Sequence, residues 1–180
     1  MSNSDRPLII HELFRSDNLF DLMTGNYLFD WSVQRNCPSL LEGAILPSYI
    51  ASDQLQMFSG RPIADSWPSL LVGPKGTRSA LHVDGFATHF WMVMFKGKKR
   101  WRVYAREDES LLYPNPLSNK IGFDGHSPDF EKFPLSSLAD YYDVELKSGE
   151  MILLPYDFPH QVTLLLYIDI SIFVLILVNF

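Results

Sequence analysis

The chain has 180 residues, 47% of them hydrophobic, 14% aromatic and 20% charged; that is one domain's worth, and it excludes disordered, collagen-like and coiled-coil classes. Fifteen basic against 21 acidic residues give a formal charge of −6, which argues against a general nucleic-acid coat protein. The single cysteine, Cys37, rules out an intramolecular disulfide and a cysteine-built zinc site.

The first residues, M-S-N-S-D-R-P, show no basic stretch followed by an apolar run, so the expectation is an intracellular chain, in cytoplasm or nucleus, without a secretory signal. Residues 1–37 read as a helical and irregular leading segment, with Asp17 as cap of a short helix and helix expected across Leu19 to Val33, where Gly25 and Asn26 are candidate breaks. Pro38, Pro47 and Pro62 punctuate an irregular stretch to residue 66. Strand patterns begin at Ser69: S-L-L-V-G-P, then L-H-V-D after a K-G-T-R turn, then H-F-W-M-V-M-F closed by Lys96-Gly97. K-R-W-R-V-Y follows as the returning strand of a hairpin. Residues 105–140 are rich in Pro, Asn, Ser and Asp and read as loop with one short helix near Leu135 to Tyr141. Strands resume at Tyr142, turn at K-S-G-E and continue in M-I-L-L-P. Many short strands with turn signals and almost no long helix predict a mainly β barrel or sandwich.

The end of the chain, L-L-L-Y-I-D-I-S-I-F-V-L-I-L-V from Leu164 to Val178, is apolar. As a helix it would reach about 23 Å against a hydrocarbon core of about 30 Å. Its Ile, Val, Phe and Tyr favour strands, so a buried strand is expected and no membrane span.

His82 and Asp84 stand at i and i+2, which on a strand places both side chains on one face. They offer a nitrogen and an oxygen to a divalent metal. His160, after an apolar strand and a Pro-bounded turn, is the candidate third ligand. Two histidines and one carboxylate form the facial set of non-haem Fe(II) oxygenases, with positions left open. A surface pair or a satisfied core histidine is the plainer reading of the same residues. Residues 96–102, K-G-K-K-R-W-R, hold five of the 15 basic residues. In that strand Lys99 shares a face with Trp101 and Val103 and should point inward. Arg100 and Arg102 then point to solvent.

The stretch from Leu70 to Tyr104, and E-L-K-S-G-E-M-I-L-L-P-Y-D-F-P-H-Q-V after it, resemble the JmjC-domain oxygenases, in their small hydroxylase-like branch. The resemblance covers roughly residues 38–163. It implies a double-stranded β-helix, a cupin-like jelly roll, over 38–180. It also implies Fe(II), with 2-oxoglutarate and O2 as co-substrates. Matched by position, His82, Asp84 and His160 fall on the iron ligands. Lys99 falls on the lysine that pairs with the distal carboxylate of 2-oxoglutarate. Ser79 falls where relatives carry a hydroxyl near that carboxylate, and Trp91 on an aromatic of the pocket, with simple core as its alternative. The implied reaction is hydroxylation or demethylation of a protein side chain, with succinate and CO2 as products.

Two departures stand out. Met92 occupies a position where some relatives place an asparagine, and a thioether cannot replace an amide's hydrogen bonds. After His160 the apolar end at 164–180 replaces a polar strand, with Asp169, Ser171 and Asn179 its only strongly polar residues past Thr163. Either that segment closes the barrel, or the chain reflects truncation or aberrant splicing and is an inactive binding module. An RNA-directed hydroxylase using Arg100, Arg102 and Arg106 is a further alternative. His89 could stand just behind the ligands; His126 reads as solvated, His11 as an edge residue, and Cys37 as structural.

Overall fold

A computed structural model of the chain describes residues 27–41, 54, 66–166 and 168–176. Most of the helix expected across Leu19 to Val33, with His11 and Asn179, lies outside them. The described part of that helix is different: Leu28–Ser32 is a strand, β1, followed by one helical turn, α1, at Val33–Asn36. Ser32 caps the turn by accepting from the Arg35 backbone N–H at 3.2 Å. The expected cap, Asp17, also lies outside the described residues; a short polar side chain immediately ahead of this turn is its cap.

Seven further strands follow: β2 Ser69–Pro74, β3 His89–Lys96, β4 Lys98–Tyr104, β5 Tyr141–Lys147, β6 Met151–Leu154, β7 His160–Leu164 and β8 Ile168–Ile176. They form a five-stranded sheet in the order β1-β2-β8-β3-β6 and a three-stranded sheet in the order β5-β4-β7. All the pairings are antiparallel.

The hairpin expected at Lys96-Gly97 is not one. β3 pairs with β8 and β6, whereas β4 pairs with β5 and β7. Gly97, at φ 104°, turns the chain from one sheet to the other in a conformation that favours glycine. The β-favouring residues on both sides of the turn were read correctly; their partners lie far away in sequence, which local pattern does not reveal.

The apolar end is a strand, as expected, and it is central. β8 lies between β2 and β3 and is buried on both faces. Ile170, Ile172 and Val174 pack with Leu70, Val72 and Trp91 on the outer face. Asp169 and Ser171, opposite Gly73 and Leu71, turn to the inner face. Burial on both sides accounts for a nearly unbroken apolar run. The segment 105–140 forms two 3-10 turns, Arg106–Leu112 and Pro134–Leu138. Leu81, Leu112, Ile121, Phe123 and Ala139 gather with Tyr104 of β4 into a second, smaller core.

Gly73 is the tightest point of the inner face. A Cβ there would lie 2.6 Å from the Tyr27 ring and 2.8 Å from a Leu164 methyl. Gly73→Ala should therefore cost about 1–3 kcal/mol through overpacking. A lowered urea midpoint checks this, and an unchanged one would mean that Tyr27 can swing aside freely.

Candidate metal centre

The segment L-H-V-D does not form a regular strand. It runs beside β7 with bridges Arg78↔Thr163 and His82↔His160, whose registers differ by one residue. The break lies at Ser79. Its hydroxyl accepts the Val162 backbone N–H at 3.0 Å, and its carbonyl accepts the Gln161 side-chain amide at 3.2 Å. A side-chain oxygen thus replaces a ladder carbonyl. The ladder recovers at His82, which exchanges both backbone hydrogen bonds with His160, at 3.1 and 2.9 Å.

That exchange places the two imidazoles side by side, with ring centroids 4.4 Å apart and planes tilted by 53°. His160 is buried and packs between Trp101 and Phe90, at 5.6 and 6.0 Å. Each histidine directs Nδ1 at a backbone carbonyl: His82 at Ala80 (2.8 Å) and His160 at Phe158 (3.0 Å). A carbonyl only accepts, so Nδ1 carries the proton and Nε2 presents its lone pair. Both Nε2 atoms face Asp84, at 3.7 Å for His82 and 3.8 Å for His160. The three donor atoms lie within 4.8 Å of one another.

This donor set suits a divalent first-row metal. Ligands at about 2.1 Å and right angles would stand about 3 Å apart, so the donors would draw in from their observed spacing of up to 4.8 Å. Burial, with the neighbouring His82, pushes His160 down to about 4, against a partly offsetting pull from Asp84. It is neutral at physiological pH, as a ligand must be.

The three residues open on one cavity of about 460 Å³. Ser79, Met92, Lys99 and Trp101 also line it, as do Tyr27, Thr77 and Asn119. Lys99 is inward, as read from the strand alternation, and 1% exposed. Trp91 is not brought to the cavity. It sits between Phe90 and Met92, which do line it, and so faces the outer core. The alternation of β3 decides this against the pocket role that the resemblance implied.

Three other expectations change. Arg102 does not point to solvent; it is buried, donates from Nε to Asp143 at 2.9 Å, and lies over the Tyr141 ring at 4.1 Å. Arg100 shares the same carboxylate at 3.0 Å, and Lys98 pairs with Glu145 at 2.6 Å. Asp143 is held down to about 2 by these guanidinium hydrogen bonds. The basic knot is thus matched by acids of β5, opposite it across the ladder. His126 is half-buried rather than solvated, its Nδ1 2.7 Å from the Thr163 hydroxyl. His89 sits edge-on against Tyr156 at 5.3 Å and does not line the cavity.

Sequence reasoning missed two features. Tyr27 lines the cavity and covers Gly73; no motif marks it. Asp169 forms an ion pair with Lys99 at 3.3 Å. The alternation of Asp169 and Ser171 within an apolar strand was a usable signal for a polar inner face.

The cupin-like domain family matches residues 14–180. The human 2-oxoglutarate and iron-dependent oxygenase JMJD4 is 30% identical over 140 residues, 76% of this chain and 33% of that protein. Lysine-specific demethylase 8 of Xenopus tropicalis is 28% identical over 163 residues, 88% of this chain and 35% of that protein. JmjC domain-containing protein D of Dictyostelium discoideum is 33% identical over 96 residues, 51% of this chain and 21% of that protein. The chain spans about a third of the length of the JMJD4 and demethylase relatives. No helix among the described residues is long and apolar enough to cross a membrane.

His160 dictates a pH response of the metal-free chain. Its folded value lies below the ordinary 6.5, so the unfolded chain binds more protons between those two values. Stability is present above about pH 6.5 and falls as the pH drops towards 4. The loss is on the order of 2–3 kcal/mol. His160→Gln should flatten that part of the profile of urea midpoint against pH; parallel profiles would show that the imidazole already accepts a proton in the folded state.

Proposed function

The chain belongs to the cupin-like domain family, and from that footing we propose that it is an Fe(II)- and 2-oxoglutarate-dependent oxygenase acting on a protein side chain. The observation that carries the reading is the convergence of His82, Asp84 and His160 on the cavity that Lys99 also lines. When bound, iron with 2-oxoglutarate and O2 supplies the oxidising chemistry that inserts oxygen into a C–H bond, as hydroxylation or, at an N-methyl group, demethylation.

The chain's own residues would do the rest. His82 and His160 would give Nε2 lone pairs, already oriented by their Nδ1 hydrogen bonds to Ala80 and Phe158. Asp84 would give the carboxylate and offset the metal's charge. Lys99 would face the distal carboxylate of the co-substrate, a charge-assisted contact at the closed end of the cavity. Ser79, which accepts from Val162, keeps its own O–H to donate towards the same end. Phe90 and Trp101 would hold the His160 ring and exclude water from its surroundings. The half-buried His82 and Asp84 mark the side from which a protein substrate would approach.

A specific observation favours a second reading, a binding module without turnover: Lys99 is already paired with Asp169, and Met92 offers a thioether beside it. A nucleic-acid substrate gains no such support, since Arg100 and Arg102 are matched by Asp143.

Anaerobic titration with Fe(II), then 2-oxoglutarate, separates the two readings through the visible charge-transfer band of the metal–keto-acid complex. The oxygenase reading expects the band, its loss in His82→Ala and His160→Ala, and at least tenfold weaker metal binding in each variant. Iron bound without the band, whatever the 2-oxoglutarate concentration, would leave the binding module.

A further inference from the structure

Lys99 is a buried cation. Its side chain is 1% exposed, and that of Asp169 0%. An ammonium has three N–H donors. Those of Lys99 meet Ser171 Oγ at 2.6 Å, Asp169 Oδ1 at 3.3 Å and Met92 Sδ at 3.5 Å. All three partners come from the inner faces of β8 and β3. Asp169 meets Lys99 as an ion pair, and neither of its oxygens has a partner in hydrogen-bond geometry among the described residues. The cavity therefore ends in a lysine whose charge and donors are already taken by the protein.

Resting on the reading of the cavity given above, we infer that the Asp169 carboxylate, which does not itself line the cavity, is a built-in counter-ion to the anion subsite at Lys99, so that a ligand carboxylate enters only when Asp169 is neutralised. Two carboxylates at one ammonium in a low-dielectric interior repel strongly, and one of them must take up a proton or leave. Packing opposes leaving: Asp169 is buried opposite Gly73, with Tyr27 over that glycine. Protonation is the open route. Burial raises the Asp169 carboxyl, with Lys99 opposing it, while burial lowers the Lys99 ammonium against the pull of Asp169. Tyr27 also feels Asp169: its hydroxyl is pushed up by burial and then by Asp169. It stays neutral and able to donate. The subsite is thus an internal salt bridge that yields to a dicarboxylic acid together with one proton.

The test uses succinate, which has the distal carboxylate but no keto group for a metal, so that the subsite is probed apart from metal chelation. Wild type, Asp169→Asn, Asp169→Ser and Lys99→Met are titrated by calorimetry, both without metal and with Mn(II), and their melting temperatures are followed against succinate concentration. Removing the carboxylate leaves Lys99 buried and unpaired, so Asp169→Asn should melt lower than wild type and recover with succinate through binding linkage. Its succinate affinity should exceed the wild-type value at least tenfold, and Lys99→Met should bind none. Wild type, where it binds, should take up a proton, read from the dependence of the heat on buffer ionisation; the Asn variant should not. Equal affinities in wild type and a folded Asp169 variant would overturn the inference, and so would wild-type binding without proton uptake. Failure of every protein to bind Mn(II) or Fe(II) would instead sink the oxygenase reading, and the metal-free succinate comparison would still decide the role of Asp169.

Discussion

The reciprocal backbone pair between His82 and His160 is the constraint on which the site depends. Two N–H···O bonds, 3.1 and 2.9 Å long, tie an irregular segment to β7 at one position. A hydrogen-bonded antiparallel pair holds its residues directly opposite each other, and the imidazoles consequently share one space. Everything upstream serves that registration. The Ser79 hydroxyl absorbs a one-residue slip in the ladder, so that the pair re-forms at His82 rather than at a neighbour. A one-residue error would turn the histidine to the other face. Asp84 then needs only a short extended step to reach both Nε2 atoms.

The sheets behind the site divide their faces by charge as well as by hydrophobicity. β4 shows this most plainly. Its inner face carries Lys99, Trp101 and Val103, buried beside β7. Its outer face carries Arg100 and Arg102, answered by Asp143 of β5. Five positive charges in seven residues would oppose strand formation if left alone. Directly opposed acids on an adjacent strand remove that cost, and the guanidinium of Arg102 gains further enclosure from Tyr141. The acidity of the chain is in this respect a structural complement to its one basic knot.

Much of this was legible in the residues. Apolar, β-favouring runs bounded by turn residues located β2, β3, β4 and β6, and alternation along β4 assigned Lys99 to the interior. The i, i+2 spacing of His82 and Asp84, with a later histidine after a turn, named the three residues that converge. The failures share a cause: they concern partners distant in sequence. The hairpin at Gly97 was inferred from a turn and two β-rich runs, yet closure of the barrel sends the second run to another sheet. Trp91 was placed in the pocket by resemblance, although its neighbours Phe90 and Met92 already claim the inner face of β3. Arg102 was assigned to solvent because its acid, Asp143, stands 41 residues away. The helix expected across Leu19 to Val33 fails in its described part because tertiary pairing with β2 overrides local propensity.

The two ends of the cavity are prepared in opposite ways. At the metal end burial keeps His160 neutral, and the Nδ1 bonds fix both lone pairs towards Asp84, so that nothing has to be removed before a cation enters. At the far end burial acts on a cation that cannot be left alone. A lone ammonium in the interior costs several kcal/mol, and the chain meets this with Asp169 rather than with water. The same physical term, desolvation, therefore yields an open site where the native groups are neutral and a filled one where they are charged. The polar residues of β8 are what set that difference. In an apolar strand between β2 and β3, Asp169 and Ser171 are the described residues that face the lysine, and the charge of the anion end turns on whether that one carboxyl holds its proton.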